Sequence, residues 1–351
     1  MPETPYLRID LTRAQRNIRR TADAAREAGV ALRPHVKTHK VVELARLQLN
    51  AGASGITVAT LGEAEVFADH GVDDIFVAYP LHVDQARADR VRDLLARVRL
   101  RVGVDSVQGA ARLGQLLGGL PVEVVVEVDS GHHRSGAAPQ GAGEIAAAGR
   151  RSGLDVVGVF TFPGHSYSPH TVDSAASDEV RALEVATESL RSVDVEPRVV
   201  SGGSTPSLRA SLAAPGPLTE LRPGVYVLGD NQQLSLRTME LDDLALTCRT
   251  TVVSHAGGRL VLDAGSKILG ADRPPYVAGH GCLADQPDVP VVLLSEHHAV
   301  LDLPGTLPPI GSEVDLIPNH VCNAVNLVDT VYADDGRGLR PWAVAGRGRN
   351  A

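Results

Sequence analysis

Between Val30 and Asp230, short apolar runs alternate with Ala-, Leu- and Arg-rich stretches of helical spacing. That alternation confines the chain to α/β folds with a mainly parallel sheet. Eight runs are legible: Val30–Pro34, Gly55–Ala59, Asp74–Pro80, Val98–Val104, Val122–Asp129, Leu154–Phe162, Pro197–Ser201 and Thr219–Val227. Helix candidates such as Lys40–Asn50, Leu61–His70, Val83–Arg97 and Ser174–Ser192 lie between them. The spacing is compatible with a (β/α)8 TIM barrel or a doubly wound open sheet. The count of eight favours the barrel, and so does a glycine-rich, anion-binding type of loop at the end of the seventh run.

Beyond Gln232 the helical periodicity fades. Short β-rich runs replace it at Leu246–Ser254, Arg259–Asp263, Val289–Leu294, Val314–Ile317 and Val328–Tyr332. A chain of 351 residues exceeds what one hydrophobic core usually covers. The expected layout is a barrel over 1–235 and a mainly β domain over 236–351, with the first few residues as candidates to join the β domain. The tail Gly346–Ala351 is expected to fray.

Composition narrows the class of partner. A formal net charge of −8 argues against nucleic acid, and no apolar run reaches the length of a membrane span. Met1 to Asp10 has neither the basic nor the apolar part of a secretion signal. Three widely spaced cysteines, Cys248, Cys282 and Cys322, make a poor disulfide framework and fit a reducing compartment. A cytoplasmic protein acting on a small molecule is the expectation.

Reacting groups of such barrels sit at the C-terminal strand ends. The first end carries Arg33-Pro34-His35-Val36-Lys37-Thr38-His39-Lys40. A partly desolvated lysine beside other cations becomes a nucleophilic amine; a solvated basic loop is the bland alternative. The fifth end, Glu127 to Gly136, sets Arg134 after an acidic strand end and a glycine turn, where a guanidinium could meet an anionic ring or carboxylate, or only form a surface salt bridge. The sixth carries Pro163-Gly164-His165-Ser166-Tyr167, a pair more often structural than catalytic. The seventh ends in Gly202-Gly203-Ser204-Thr205, where backbone N–H groups and two hydroxyls can converge on a phosphate. The eighth carries Tyr226, which could reach that loop. In the β domain, Pro318-Asn319-His320-Val321-Cys322 sets His320 and Cys322 two apart, on one face if the segment is extended. Imidazole and thiolate together favour zinc, while a buried cysteine beside a structural histidine is the plainer reading.

Taken together, these segments resemble the D-threonine aldolase / D-serine dehydratase family of fold-type III pyridoxal-phosphate (PLP) enzymes. In that family an alanine-racemase-like PLP-binding barrel precedes a dehydratase-like β domain. The resemblance implies Lys37 as the Schiff-base lysine and Gly202, Gly203, Ser204 and Thr205 as the phosphate loop. It implies cofactor contacts from Arg134, His165, Tyr167 and Tyr226, and a metal pair in His320 and Cys322. Lys37 and His165 are the implied catalytic residues. Pyridoxal 5'-phosphate and Zn2+, or another divalent metal, are the implied cofactors, and the implied assembly is a homodimer. One family element, two acidic residues followed by His-Gly, is altered here to Ser295-Glu296-His297-His298-Ala299. The implied activity is a lyase acting on D-3-hydroxy amino acids, in first place a D-serine dehydratase yielding a 2-oxo acid and ammonia. Retro-aldol cleavage to glycine and an aldehyde is the alternative. A racemase does not explain a metal pair, and a PLP carrier without turnover consists of the barrel alone.

Overall fold

The structure, a computed structural model, describes residues 2–351. Backbone contacts divide the chain into two units. The chain opens on strand β1 (Tyr6–Asp10), which belongs to the second.

The first unit comprises Arg20–Lys37, Ala45–Gly224 and Arg349–Ala351. Its parallel strands are β2 (Ala31–Leu32), β3 (Ile56–Val58), β4 (Asp74–Pro80), β5 (Arg99–Val104), β6 (Glu123–Glu127), β7 (Asp155–Phe160), β8 (Val199–Gly202) and β9 (Glu220–Leu221). They pair in the order β2-β9-β8-β7-β6-β5-β4-β3. The ends of this row meet at a parallel bridge between His35 and Thr57, where Thr57 N–H donates to Pro34 C=O at 2.8 Å. The eight apolar runs therefore form a barrel, as their count suggested.

The alternating helices are α1 (Leu11–Glu27), α2 (Val42–Asn50), α3 (Leu61–Asp69), α4 (Gln85–Leu95), α5 (Val107–Leu117), α6 (Ala142–Arg151), α7 (Ala175–Arg191) and α8 (Leu208–Ala213), of which α1 up to Arg19 and α2 up to Leu44 are counted with the second unit. Four start where a polar side chain caps the backbone: Asp10 accepts from Arg13 N–H, Thr60 from Glu63 N–H, Asp84 from Arg87 N–H and Ser106 from Gly109 N–H. Phe76, Val125, Val157, Phe160 and Val199 pack as one cluster in the barrel, with the Phe76 and Phe160 rings edge-on at 5.1 Å. Gly103 is required here, because a Cβ would come within 2.7 Å of the Phe160 ring.

The eighth run is shorter than expected. Pairing stops at Leu221, and Tyr226 lies on a separate single turn, Val225–Val227. The cause is local: Pro223 has no N–H to offer the ladder. The tail also differs from expectation, since Ala351 C=O accepts from Gly62 N–H at 2.9 Å and Arg349 C=O from Thr60 Oγ1 at 2.6 Å. Backbone groups held at a helix start do not fray.

Around Glu220 the interior of the barrel unit is ionic. Glu220 takes Arg33 Nε at 2.9 Å and Arg101 at 3.1 Å; Arg33 also reaches Asp74, and Arg101 reaches Glu123 at 2.9 Å. Burial alone would raise the Glu220 carboxyl, but the two guanidiniums outweigh it and hold it at about 2. A depressed carboxyl contributes stability above its ordinary 4.5 that is lost as pH falls toward 2. Glu220→Gln leaves Arg33 and Arg101 with one carboxylate partner each, Asp74 and Glu123, and is expected to cost about 2–3 kcal/mol. Urea unfolding at neutral pH checks this, and an unchanged midpoint would refute it.

The second unit comprises the chain up to Arg19, Thr38–Leu44 and Val225–Gly348. It holds α9 (Asn231–Ser235), β10 (Leu246–Ser254), β11 (Leu260–Leu262), α10 (Ser266–Leu269), β12 (Gly281–Leu283), β13 (Gln286–Leu294), β14 (Ala299–Leu301), β15 (Glu313–Pro318), α11 (Val321–Asn326), β16 (Thr330–Asp334) and β17 (Leu339–Ala343). Pairing runs β11-β14-β13-β12-β15-β10-β1-β16-β17, and a further β10–β11 pairing closes six of these strands into a small barrel. β1 joins this sheet between β10 and β16. Cys248 and Cys282 are buried thiols raised by burial, and no disulfide occurs among the described residues. No described helix is long and apolar enough to cross a membrane.

Candidate active site

In the first unit, residues from three strand ends gather around Phe162. Lys37 sits in a single turn, Val36–Thr38, just past β2, and its Nζ lies 5.7 Å from the Phe162 ring centre. The Arg134 guanidinium lies 5.2 Å from the same ring, His132 packs edge-on at 5.6 Å and Tyr167 lies at 6.5 Å. Phe162 ends the sixth apolar run, but no role was read from it. Its position at a strand end, in a chain with only four phenylalanines, was the available signal.

Arg134 is carried there by a turn built on Asp129. The Asp129 carboxylate accepts from Gly131 N–H at 2.9 Å and His133 N–H at 3.0 Å. Beside it, Glu127 is buried and its carboxyl is raised by that burial; Oε1 accepts from Ser135 Oγ at 3.1 Å, and Oε2 has no partner. His35 is held well below its ordinary value, first by burial and then by Lys37, Arg222 and Arg134, so its ring is neutral.

His165 and Tyr167 follow β7. His165 Nε2 lies 3.2 Å from Asp178 Oδ2, while Nδ1 is buried with no partner. Ser166 Oγ meets Ser204 Oγ at 2.8 Å, which ties this loop to the loop after β8. In that second loop Gly202, Gly203, Ser204 and Thr205 are all buried, and Gly203 has φ +84, open to glycine and strained for other residues. Two of its N–H groups have protein partners: Gly203 N–H donates to Glu179 Oε1 at 2.7 Å, and Ser204 N–H to Ser207 Oγ at 3.1 Å. Glu179 and Asp178, both on α7, had not been singled out from the sequence.

In the second unit, His320 and Cys322 come together, but not on a strand. β15 stops at Pro318. His320 is extended at the start of α11, and Cys322 lies in that helix's first turn. The expected extended segment is therefore wrong, because the proline ends the strand and Asp230 Oδ2 caps the helix by accepting Val321 N–H at 3.1 Å. Asn319 fixes the turn, donating to Asp272 C=O at 2.8 Å and Gly279 C=O at 3.0 Å, and accepting from Asn231 at 2.8 Å.

His320 Nδ1 is 3.3 Å from Asp272 Oδ1, and Asn323 donates to both oxygens of that carboxylate. Burial opposes protonation of His320, yet Cys322, Asp272 and Asp230 outweigh it and raise the imidazole to about 11. Cys322 Sγ is 3.4 Å from Thr38 Oγ1. Tyr226 is buried in this unit as well. The altered element Ser295–His298 forms an exposed turn, closed by Ser295 N–H on His298 C=O at 2.8 Å.

Residues 9–232 match the model of the alanine racemase N-terminal domain, and residues 245–333 match that of the serine dehydratase domain. The chain belongs to the fold-type III PLP enzymes. D-threo-3-hydroxyaspartate dehydratase of Delftia sp. strain HT23 is 36% identical over 352 aligned residues, covering 91% of each chain. The solved structure of that dehydratase superposes with a TM-score of 0.90, over 98% of this chain and 97% of the other at 32% identity. A solved D-threonine aldolase from Filomicrobium marinum gives 0.87 at 27% identity, over 99% and 96%. This fold-type III enzyme is thus placed among PLP-dependent lyases. Solved mutants of a D-threo-3-hydroxyaspartate dehydratase replace a histidine and a cysteine two residues apart, and the cysteine mutant is in a metal-free form.

The residues in hand fit both groups. For PLP there is a lysine at a strand end, a buried glycine loop with hydroxyls, and an orphaned imidazole nitrogen at His165. For a metal there is an adjacent imidazole and thiol, with Asp272 engaging Nδ1, the outer-shell arrangement usual for a ligating histidine. Among the described residues no group of three or more His, Cys, Asp or Glu is placed to hold a metal, so the protein offers two donors.

Proposed function

We propose that this chain is a PLP- and zinc-dependent lyase that removes water from a D-3-hydroxy amino acid, D-serine in first place, giving a 2-oxo acid and ammonia. The observation that carries the reading is the His320–Cys322 pair oriented by Asp272. Neither a racemase nor a cofactor carrier has use for a thiol–imidazole pair.

Lys37 would hold the cofactor through its Nζ, Gly202–Thr205 its phosphate, and Arg134, His165, Tyr167 and Tyr226 its ring. Bound PLP supplies an electron sink for charge developing at the substrate Cα. Zinc on His320 and Cys322 supplies Lewis acidity toward a hydroxyl oxygen. Lys37 Nζ takes the proton from Cα. His165, its Nε2 tied to Asp178, keeps a fixed tautomer and presents Nδ1 as the atom that exchanges a proton with the substrate. The choice of dehydration over carbon–carbon cleavage draws support from the Delftia dehydratase, which is 36% identical, and from solved mutants of a D-threo-3-hydroxyaspartate dehydratase at a histidine and a cysteine of the same spacing.

Product analysis with D-serine, D-threonine and D-threo-3-hydroxyaspartate tests the proposal. A 2-oxo acid with stoichiometric ammonia is expected. Glycine and an aldehyde in its place would assign retro-aldol cleavage, and α-proton exchange with neither product would assign racemisation.

A further inference from the structure

The first turns of α7 carry two consecutive acids that support different loops. Asp178 bonds His165, and Glu179 Oε1 accepts the Gly203 N–H at 2.7 Å. Glu179 is 0% exposed, and its Oε2 has no hydrogen-bond partner. The carboxyl lies flat against the loop backbone: a Cβ on Gly202 would fall 2.3 Å from Oε1. The groups that face it are the Gly203 N–H from the loop, Arg222 from the strand end after β9 and Ser211 from α8. On its own helix, Asp178 is engaged by His165 and Arg181. Arg222 is itself committed, donating to Ser201 Oγ at 2.7 Å and to Thr161 C=O.

Burial pushes the Glu179 carboxyl up to about 7, against the Gly203 N–H, Arg222 and Ser211. An ionised carboxylate and a phosphate dianion on one buried loop repel each other strongly, since little water screens them.

We propose that Glu179 is a positioning residue that couples a proton to the cofactor phosphate: through the Gly203 N–H it shapes the Gly202–Thr205 loop, and it takes up one proton from solvent when the phosphate dianion binds. The proposal rests on the PLP reading above and goes beyond it by making retention of the phosphate pH-linked at a residue that is not in the loop. The proton passes from solvent to the carboxylate and returns on release, so no other co-reactant is needed.

The test compares PLP with pyridoxal, which lacks the phosphate but reacts with the same lysine. Both are titrated into the full-length protein freed of cofactor, and the ratio of their dissociation constants is followed against pH. For the wild type the advantage of PLP is expected to shrink above pH 7, approaching about tenfold per pH unit. Glu179→Gln keeps an acceptor for Gly203 N–H but cannot ionise, so its ratio should stay level. The phosphate's own second ionisation, near about pH 6, acts alike in both proteins.

Calorimetry of the wild type in two buffers of different ionisation enthalpy gives a second measure that needs no variant. At about pH 8, PLP should take up nearly one proton more than pyridoxal does. A wild-type slope retained in Glu179→Gln, or equal proton uptake for the two ligands, would overturn the coupling. A wild type that reacts with neither ligand would overturn the PLP reading itself.

Discussion

Lys37→Ala is expected to abolish covalent cofactor binding and to lower turnover by at least about 10³-fold, since the variant loses both the attachment point and the amine that moves the Cα proton. The chain makes this an unusually clean experiment because it contains only three lysines: Lys37, Lys40 and Lys267. Lys40 Nζ donates to Asn326 at 2.8 Å, and Lys267 is exposed 3.8 Å from Glu296. Only Lys37 lies at the mouth of the barrel unit, over Phe162. Borohydride reduction of the wild-type protein followed by peptide mass spectrometry should place the whole label on Lys37. The variant should stay colourless with added PLP, and a small exogenous amine should restore part of its activity. Label on Lys40 or Lys267 would refute the assignment.

The second large effect is expected at the thiol. Cys322→Ala removes one of the two donors and should abolish metal retention while lowering dehydration by about 10²–10³-fold or more, the range seen when electrostatic help to a developing oxyanion is lost. The cofactor's visible absorption should persist, because His320 and Cys322 belong to a different unit from Lys37 and the glycine loop. Exhaustive chelation of the wild type should give the same separation of colour from turnover, reversed by added zinc. Asp272→Asn should be milder, about 10–100-fold in metal affinity, since it removes only the partner that orients His320 Nδ1. Full activity in metal-free protein, verified by elemental analysis, would remove the metal from the mechanism.

The barrel was legible in the sequence because its signal is local. Each strand is a short apolar run and each helix a periodic one, and the burial that selects those patterns acts within a few residues of chain. The same locality made the position of Lys37 and Gly202–Thr205 at strand ends readable, since a strand end in a barrel unit already says which way a following residue is carried. The pairing of His320 with Cys322 was anticipated from spacing but for the wrong reason. An extended segment was expected to align them, whereas only His320 is extended and Cys322 lies in the first turn of a helix whose Val321 N–H is held by Asp230. Proline acts on the backbone at its own position, and Pro223 is the stop that the run Thr219–Val227 passed over.

What the sequence by itself determined is the order of elements and the chemical kind of each candidate group: an amine after the first barrel strand, an anion-type loop after the seventh, an imidazole and a thiol two apart. The tertiary structure alone decided which groups support them. Glu179 reaches Gly203 across 24 residues, Asp272 reaches His320 across 48, and Arg33 reaches Glu220 across 187. No periodicity encodes such pairs, because they depend on how strands curve into a closed sheet and how loops run back over it. Burial then turns those meetings into chemistry. The same side-chain type, glutamate, is raised to about 7 at position 179, where burial is only partly offset, and held at about 2 at position 220, between two guanidiniums.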